Sequence, residues 1–390
     1  MLIDTTLLVN SPEIIQGLLN GSMKRYGSVI RWAAGTENAG QIVRHLAETP
    51  GVTKQIIDGM SFHKLIGIEN TLSSVMGLTQ IAAGASVLNL GISIAGFAYM
   101  GYKLHQIQNS LNYLQQAVEE GFKRIEGQLA YIYLLVEDSR EQQKSLAKAI
   151  SHLHQAMLIK EIAALNSELY DRSRFPNESP RECLKVASRV RLFLANQALQ
   201  ITPALDAELM LNTDVSIQGW AVATATEANL LLEIGKHQEA KELLAVEVPK
   251  FKQVAQIWGN ELISHEKSHL STVYRFSNSR FHDYITPERV ERITEISPRD
   301  RTLSPEQIRW QKTNVDVEFE MSYSSQWDEA WTYRQIAVAE YLDTLSELSA
   351  RLDSLQSFAA LCESHNVKSS RDILPNADAG LGLYILPAHE

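Results

Sequence analysis

Charge is missing over one long stretch. In a chain of 390 residues of which 21% are charged, no Asp, Glu, Lys, Arg or His occurs from Asn70 to Tyr102. Proline is also absent between Pro50 and Pro176, so nothing in that interval carries the residue a helix interior tolerates least. Only two cysteines occur, Cys183 and Cys362, far apart and without metal-type spacing. That excludes a disulfide framework and a Cys-based zinc site, and it fits a reducing cytoplasm. Basic residues do not dominate: the net charge of -10, the pI near 5.6 and the lack of a dense Lys/Arg patch with interleaved aromatics argue against a nucleic-acid partner. No GxGxxG, GxxxxGKS or GxSxG motif and no Cys–His arrangement is found, so nucleotide binding and serine or thiol hydrolysis lack support and no cofactor is expected. The start, MLIDTTLLVNSPE, carries Asp4 and no basic residue ahead of its apolar run, unlike a secretory signal.

What is present is folded material, since a hydrophobic content of 45% excludes wholesale disorder. As a helix, Asn70–Tyr102 would extend about 50 Å, more than the roughly 30 Å hydrocarbon core of a bilayer. Val87, Leu88, Leu90, Ile92, Ile94, Phe97 and Tyr99 are its candidate membrane-inserting residues. Ser73, Ser74, Thr79, Gln80, Ser86, Asn89 and Ser93 interrupt it with groups that lipid must desolvate, which suits a segment buried in protein first and in lipid later. Gly77, Gly84, Gly91 and Ala98 recur every seventh residue, a small-residue stripe for close helix packing. A single span and a hairpin turning near Gly84 to Asn89 both fit. The alternative is a central helix of an all-α protein, apolar all round because other helices cover it.

Beyond Tyr102 the pattern turns amphipathic. Leu104, Ile107, Leu111, Leu114, Val118, Ile125 and Ile132, then Leu146, Ile150, Leu153, Met157 and Ile162, describe one very long helix or two antiparallel ones. PNESP at 176–180 is a boundary. Helices are expected near 181–201, 203–212, 217–234, 237–247 and 249–277, punctuated by Pro203, Gly235 and Pro249. ANLLLEIGKHQEAKELL resembles a tetratricopeptide helical hairpin at Ala228, Leu231, Gly235, Ala240 and Leu244, the plain alternative being a generic helix-turn-helix. Residues 277–312 read as an exposed Pro/Arg-rich linker with one short helix near 287–295. Val315, Val317, Phe319, Met321 and Tyr323 alternate with polar residues and predict a strand, paired with the N-terminal strands or with Leu381–Leu386. AGTENAG at 34–40 predicts a hairpin between short strands near 28–32 and 41–46. A last helix over 326–364 carries Trp331, Val338, Tyr341, Leu345, Leu348, Leu352 and Leu355 in heptad register, and is a natural antiparallel partner for the helix after Tyr102.

The chain thus divides into 1–60, 61–175, 176–277, 278–324 and 325–390. The expected fold is mainly α: an elongated helical bundle with very long amphipathic helices, a hydrophobic helix or hairpin and a small β-sheet element.

One motif has a catalytic form. His265-Glu266-Lys267-Ser268-His269 has the HExxH spacing, which on a helix puts both histidines on one face for Zn²⁺ and the glutamate beside a bound water. Glu288, Glu291 or Glu295 are candidate third ligands. Against the motif stand Lys267 and the lack of an HxxGxxH continuation, and the alternative is a hydrogen-bonded His pair in a helix interface.

At the level of architecture, Lys64–Arg174 with Trp327–Cys362 resembles helical pore-forming toxins, in which a hydrophobic segment lies within or beside an elongated helix bundle. The resemblance implies a cytoplasmic protein that becomes membrane-associated, a lipid bilayer as partner and a homo-oligomer. The competing expectations are a cytosolic scaffold with a protein partner at 181–277, and a zinc-dependent hydrolase on His265, Glu266 and His269.

Overall fold

The computed structural model describes residues 6–7, 11–48 and 160–387, with short gaps; 49–159 and, among shorter stretches, 265–269, 322–328 and 374–382 lie outside the described residues. The apolar segment and the amphipathic helix up to Met157 therefore lie outside them, as does the whole HExxH motif.

The fold is mainly α with one small antiparallel sheet. Strands β1 (Thr6–Leu7), β2 (Met23–Tyr26), β3 (Val29–Trp32), β4 (Ile42–Glu48) and β5 (Leu383–Ile385) form a sheet in the order β1-β5-β4-β3-β2. The expected hairpin is present: β3 and β4 pair antiparallel, with an irregularity between Ile30 and Arg31. Gly40, at φ +83°, supplies the left-handed residue of the turn, and its N–H bonds the Trp32 carbonyl at 2.9 Å. The tail strand β5 inserts between β1 and β4. Helix α1 (Pro12–Leu19) covers the sheet, and Ile14, Met23, Ile30, Leu46 and Ile385 make a small core.

The helical body comprises α2 (Arg181–Gln200), α3 (Ala207–Glu233), α4 (His237–Ser264), α5 (Pro287–Thr294), α6 (Pro298–Arg301), α7 (Pro305–Met321) and α8 (Glu329–Ser364). Its core holds Trp220, Phe251, Trp258, Phe276, Phe281 and Tyr341, all buried, and extends back to Leu165. Helix α8 lies at the centre. Every residue from Tyr341 to Leu348 is buried, which for a helix means cover on all sides, and α3, α4 and α5 supply it. The heptad residues Val338, Tyr341, Leu345, Leu348, Leu352 and Leu355 are among the most buried. The partner expected for α8, the helix after Tyr102, lies outside the described residues.

Several expectations need correction. Residues 203–212 and 217–234 are not separate helices: α3 runs from Ala207 through both, and Thr213 ties its hydroxyl back to the Leu209 carbonyl at 2.7 Å instead of ending the helix. Pro249 does not divide α4. Leu244, Val248, Phe251 and Trp258 anchor the helix in the core on both sides of it, which outweighs one lost N–H bond. The helix also does not reach Ser277. It ends at Ser264, and Val273–Ser277 is a 3-10 turn capped by the Thr272 side chain.

The predicted strand at 315–323 is also overturned, because Val315 to Met321 belong to α7. Ser304 and Gln307 form a reciprocal capping box, Gln307 N–H to Ser304 Oγ at 3.2 Å and Ser304 N–H to Gln307 Oε1 at 2.8 Å, with Pro305 at the first helical position. A helix nucleated there propagates through the alternating stretch. Nor is 277–312 simply an exposed linker: Phe281, Ile285, Val290, Ile293 and Ile296 are buried in the main core, although the helix expected near 287–295 is present as α5.

Candidate functional site

Two buried polar constellations and one junction gather the buried charged side chains of the described residues, apart from Asp300, which accepts from the Ser297 hydroxyl at 2.8 Å and the Val273 N–H at 3.0 Å. The first lies where α5 meets α8. Asp343 is fully buried; Arg292 grips it with Nε to Oδ1 at 2.7 Å and Nη2 to Oδ2 at 2.8 Å, and Arg289 Nε adds a bond to Oδ2 at 2.9 Å. One turn on, Arg351 Nε donates to Glu347 Oε1 at 2.7 Å, and the Ser346 hydroxyl donates to the Arg292 carbonyl. Bidentate guanidinium–carboxylate pairing satisfies both partners in an environment that would otherwise penalise each charge. This is a bolt between helices, and its one hydroxyl, Ser346, is spent on the Arg292 carbonyl with no His base among the members.

The second joins α2, α3 and α4. Glu247, 2% exposed, accepts from Trp220 Nε1 at 2.7 Å, while Arg191 pairs with Glu227 at 2.7 Å and with Glu247 at 3.0 Å. Beside it the α3–α4 turn has the hairpin form expected at Ala228–Leu244. Ala228, Ala240 and Leu244 are buried, and Gly235 sits at φ +78°. A Cβ at Gly235 would stand 2.5 Å from the Lys368 carbonyl oxygen, so the segment after α8 crosses directly over the turn. His237 fixes that crossing through Nε2, 2.7 Å from the Val367 carbonyl.

The junction lies between the sheet and α8. His45 Nε2 stands 2.9 Å from Ser357 Oγ, with the His45 ring edge-on to Phe358. Next to it Asp353 takes Arg31 from β3 and, at 2.6 Å, Lys252 from α4. Burial would raise the Asp353 carboxyl, but the charges of Lys252 and Arg31 outweigh it and hold the group below its usual value. A serine beside a histidine has the composition of a nucleophile and its base. Here, however, Asp353 is committed to two cations, and His45 is 4% exposed under Phe358. The pair therefore reads as a tether. His45 and Ser357 lie 312 positions apart, and nothing in the sequence signals their meeting.

The residues singled out from the sequence fall elsewhere. Val87, Leu88, Leu90, Ile92, Ile94, Phe97, Tyr99, Gly77, Gly84, Gly91 and Ala98 lie outside the described residues, as do His265, Glu266 and His269. Of the candidate third ligands, Glu291 pairs with Lys24 and Glu295 lies 3.8 Å from Arg301. Among the described residues, no group of three or more His, Cys, Asp or Glu side chains is placed to hold a metal ion, and no helix is long and apolar enough to cross a membrane. Comparison with protein families, with characterised proteins and with solved structures finds no match to this chain.

Proposed function

We propose that the chain is a membrane-active helical effector, soluble at first, that inserts residues 70–102 into a bilayer on activation. The uncharged run from Asn70 to Tyr102, followed at once by a long amphipathic pattern, carries this reading. The chain on either side of 49–159 is consistent with it. β4 pairs with β5, Arg31 pairs with Asp353, and Leu165 packs into the helical core, so the chain leaves and re-enters a single body. In this reading the amphipathic stretch after Lys103 extends the bundle and supplies a surface for homo-oligomers, and the protein moves from cytoplasm to membrane.

Dye release from liposomes tests the proposal. The intact chain releases dye, and Ile94→Glu, which puts a charge in the inserted face, and Gly91→Leu, which fills the small-residue stripe, abolish release. Equal release by all three proteins overturns the reading.

A second reading has its own observation. The α3–α4 hairpin leaves Val246 and Ile257 exposed on one face of α4, with Lys250 between them, as on a helical scaffold that binds a partner peptide. Full solubility with no flotation on liposomes would favour that reading over insertion.

A further inference from the structure

Helix α7 shows most of its first turns to solvent. Leu303 and Ile308 pack against the main core, and Trp310 stands roughly 200° around the helix from Ile308, so its ring lies on the outer side. It is 56% exposed. Arg309 and Lys312, both exposed, fall on one flank of that ring, at roughly 100° and 40° from Ile308.

The turn at Val273–Ser277 ties this flank to α6. The Lys312 ammonium stands 5.6 Å from the centre of the Tyr274 ring, and the Val273 N–H donates to Asp300 of α6 at 3.0 Å. Helix α6 adds Arg299 and Arg301, both exposed. Between residues 295 and 313, four exposed cations and an exposed tryptophan thus stand against two exposed carboxylates, Glu295 and Glu306. Glu295 lies 3.8 Å from Arg301.

The local sign is the reverse of the chain's, which carries a net charge of -10. An anionic surface repels such a protein unless it meets a locally positive face. A tryptophan beside arginines and a lysine suits the edge of a bilayer: the ring is apolar, its N–H stays wet, and the cations reach anionic headgroups. We propose that the outer face of α6 and of the first turns of α7 is a docking surface for an anionic phospholipid bilayer, with Trp310 seated at headgroup level. In naming a bilayer the proposal rests on the membrane-active reading above; it adds the class of lipid and the face that meets it.

Co-sedimentation with vesicles tests it in the full chain carrying Ile94→Glu, which on that reading cannot insert. The vesicles are phosphatidylcholine alone or with about one third phosphatidylserine. The expected result is binding to the second kind only, lost near 1 M salt, where screening acts within about 3 Å. Arg301→Gln, Arg309→Gln and Lys312→Gln together lower the affinity about a hundredfold, at about fivefold per cation. Lys185→Gln, Arg189→Gln and Lys236→Gln change the net charge equally at exposed sites elsewhere, and lower it far less. All six side chains are exposed, so the body stays folded, which circular dichroism checks. Brominated lipid quenches the tryptophan emission, and Trp310→Phe removes most of that quenching.

No binding, equal binding to both kinds of vesicle, equal loss in the two triple variants, or quenching unchanged in Trp310→Phe overturns the proposal. Capture of duplex DNA by this face in place of vesicles overturns it too, and assigns the face to a nucleic acid. The two readings fail separately. Dye release by the intact chain from neutral and anionic liposomes alike would keep insertion and remove the docking face, whereas selective binding without any dye release would do the reverse.

Discussion

The helical body and the sheet are held by different means. The body buries two tryptophans, three phenylalanines and Tyr341 among its largest fully enclosed side chains, and it bolts α5 to α8 through a carboxylate with no exposure at all. The sheet and α1 share a core of five buried side chains, too few to stabilise it alone. It leans on the body through Arg31–Asp353–Lys252, Lys24–Glu291 and His45–Ser357. Apolar burial builds the first region, and charge pairing attaches the second.

Asp343→Asn tests the contrast hardest. It leaves the buried Arg292 and the partly buried Arg289 without their shared anion, and the expected loss is about 3–5 kcal/mol of global stability, read by urea unfolding followed through tryptophan fluorescence. A loss confined to the sheet would break the comparison.

Asp353→Asn comes next. It removes charge-assisted bonds to Arg31 and Lys252, with an expected cost of about 1.5–3 kcal/mol felt in the sheet. Amide hydrogen exchange should speed in β3 and β4 while exchange in the buried stretch of α8 from Tyr341 to Leu348 barely changes.

Acid should act in the same place. The folded Asp353 carboxyl lies below its ordinary value of 3.8, so its stabilisation is fully present above that value and fades as pH falls through the lowered one. Exchange protection of β4 should stay level from neutral pH down to about pH 4 and drop below it. Faster exchange on raising pH toward neutrality, after correction for intrinsic rates, would contradict the sign.

Lys24→Ala is the mildest test. Both partners of the Lys24–Glu291 pair are about 40% exposed, so the expected change is under about 1 kcal/mol and disappears in high salt.

Legibility in the sequence followed the range of the interactions. Helix α2, the long α8 heptads, the Gly235 turn and the β3–β4 hairpin were readable because their causes are local: periodicity, a left-handed glycine, a Gly/Asn-rich turn. α7 was misread although its cause is equally local. The Ser304–Gln307 box outranks the alternation of Val315, Val317 and Phe319, because a nucleated helix adds residues more readily than an unpaired strand finds partners. The continuity of α3 and α4 was hidden because tertiary packing decides whether Pro249 or Thr213 interrupts a helix. The buried polar constellations were not legible at all, since Asp343 must meet Arg292 and His45 must meet Ser357 across distant elements.

The placement of β5 has a consequence for synthesis. β5 separates β4 from β1, yet Leu383 is made long after Glu48. At about 5–20 residues per second the interval is on the order of tens of seconds. Throughout it, one edge of β4 waits without its strand, beside a nascent chain that includes the uncharged run from Asn70. When β5 arrives, Ile385 closes the sheet's own core while its neighbour Leu386 enters the helical one, so the first and last parts of the chain are sealed in one late event.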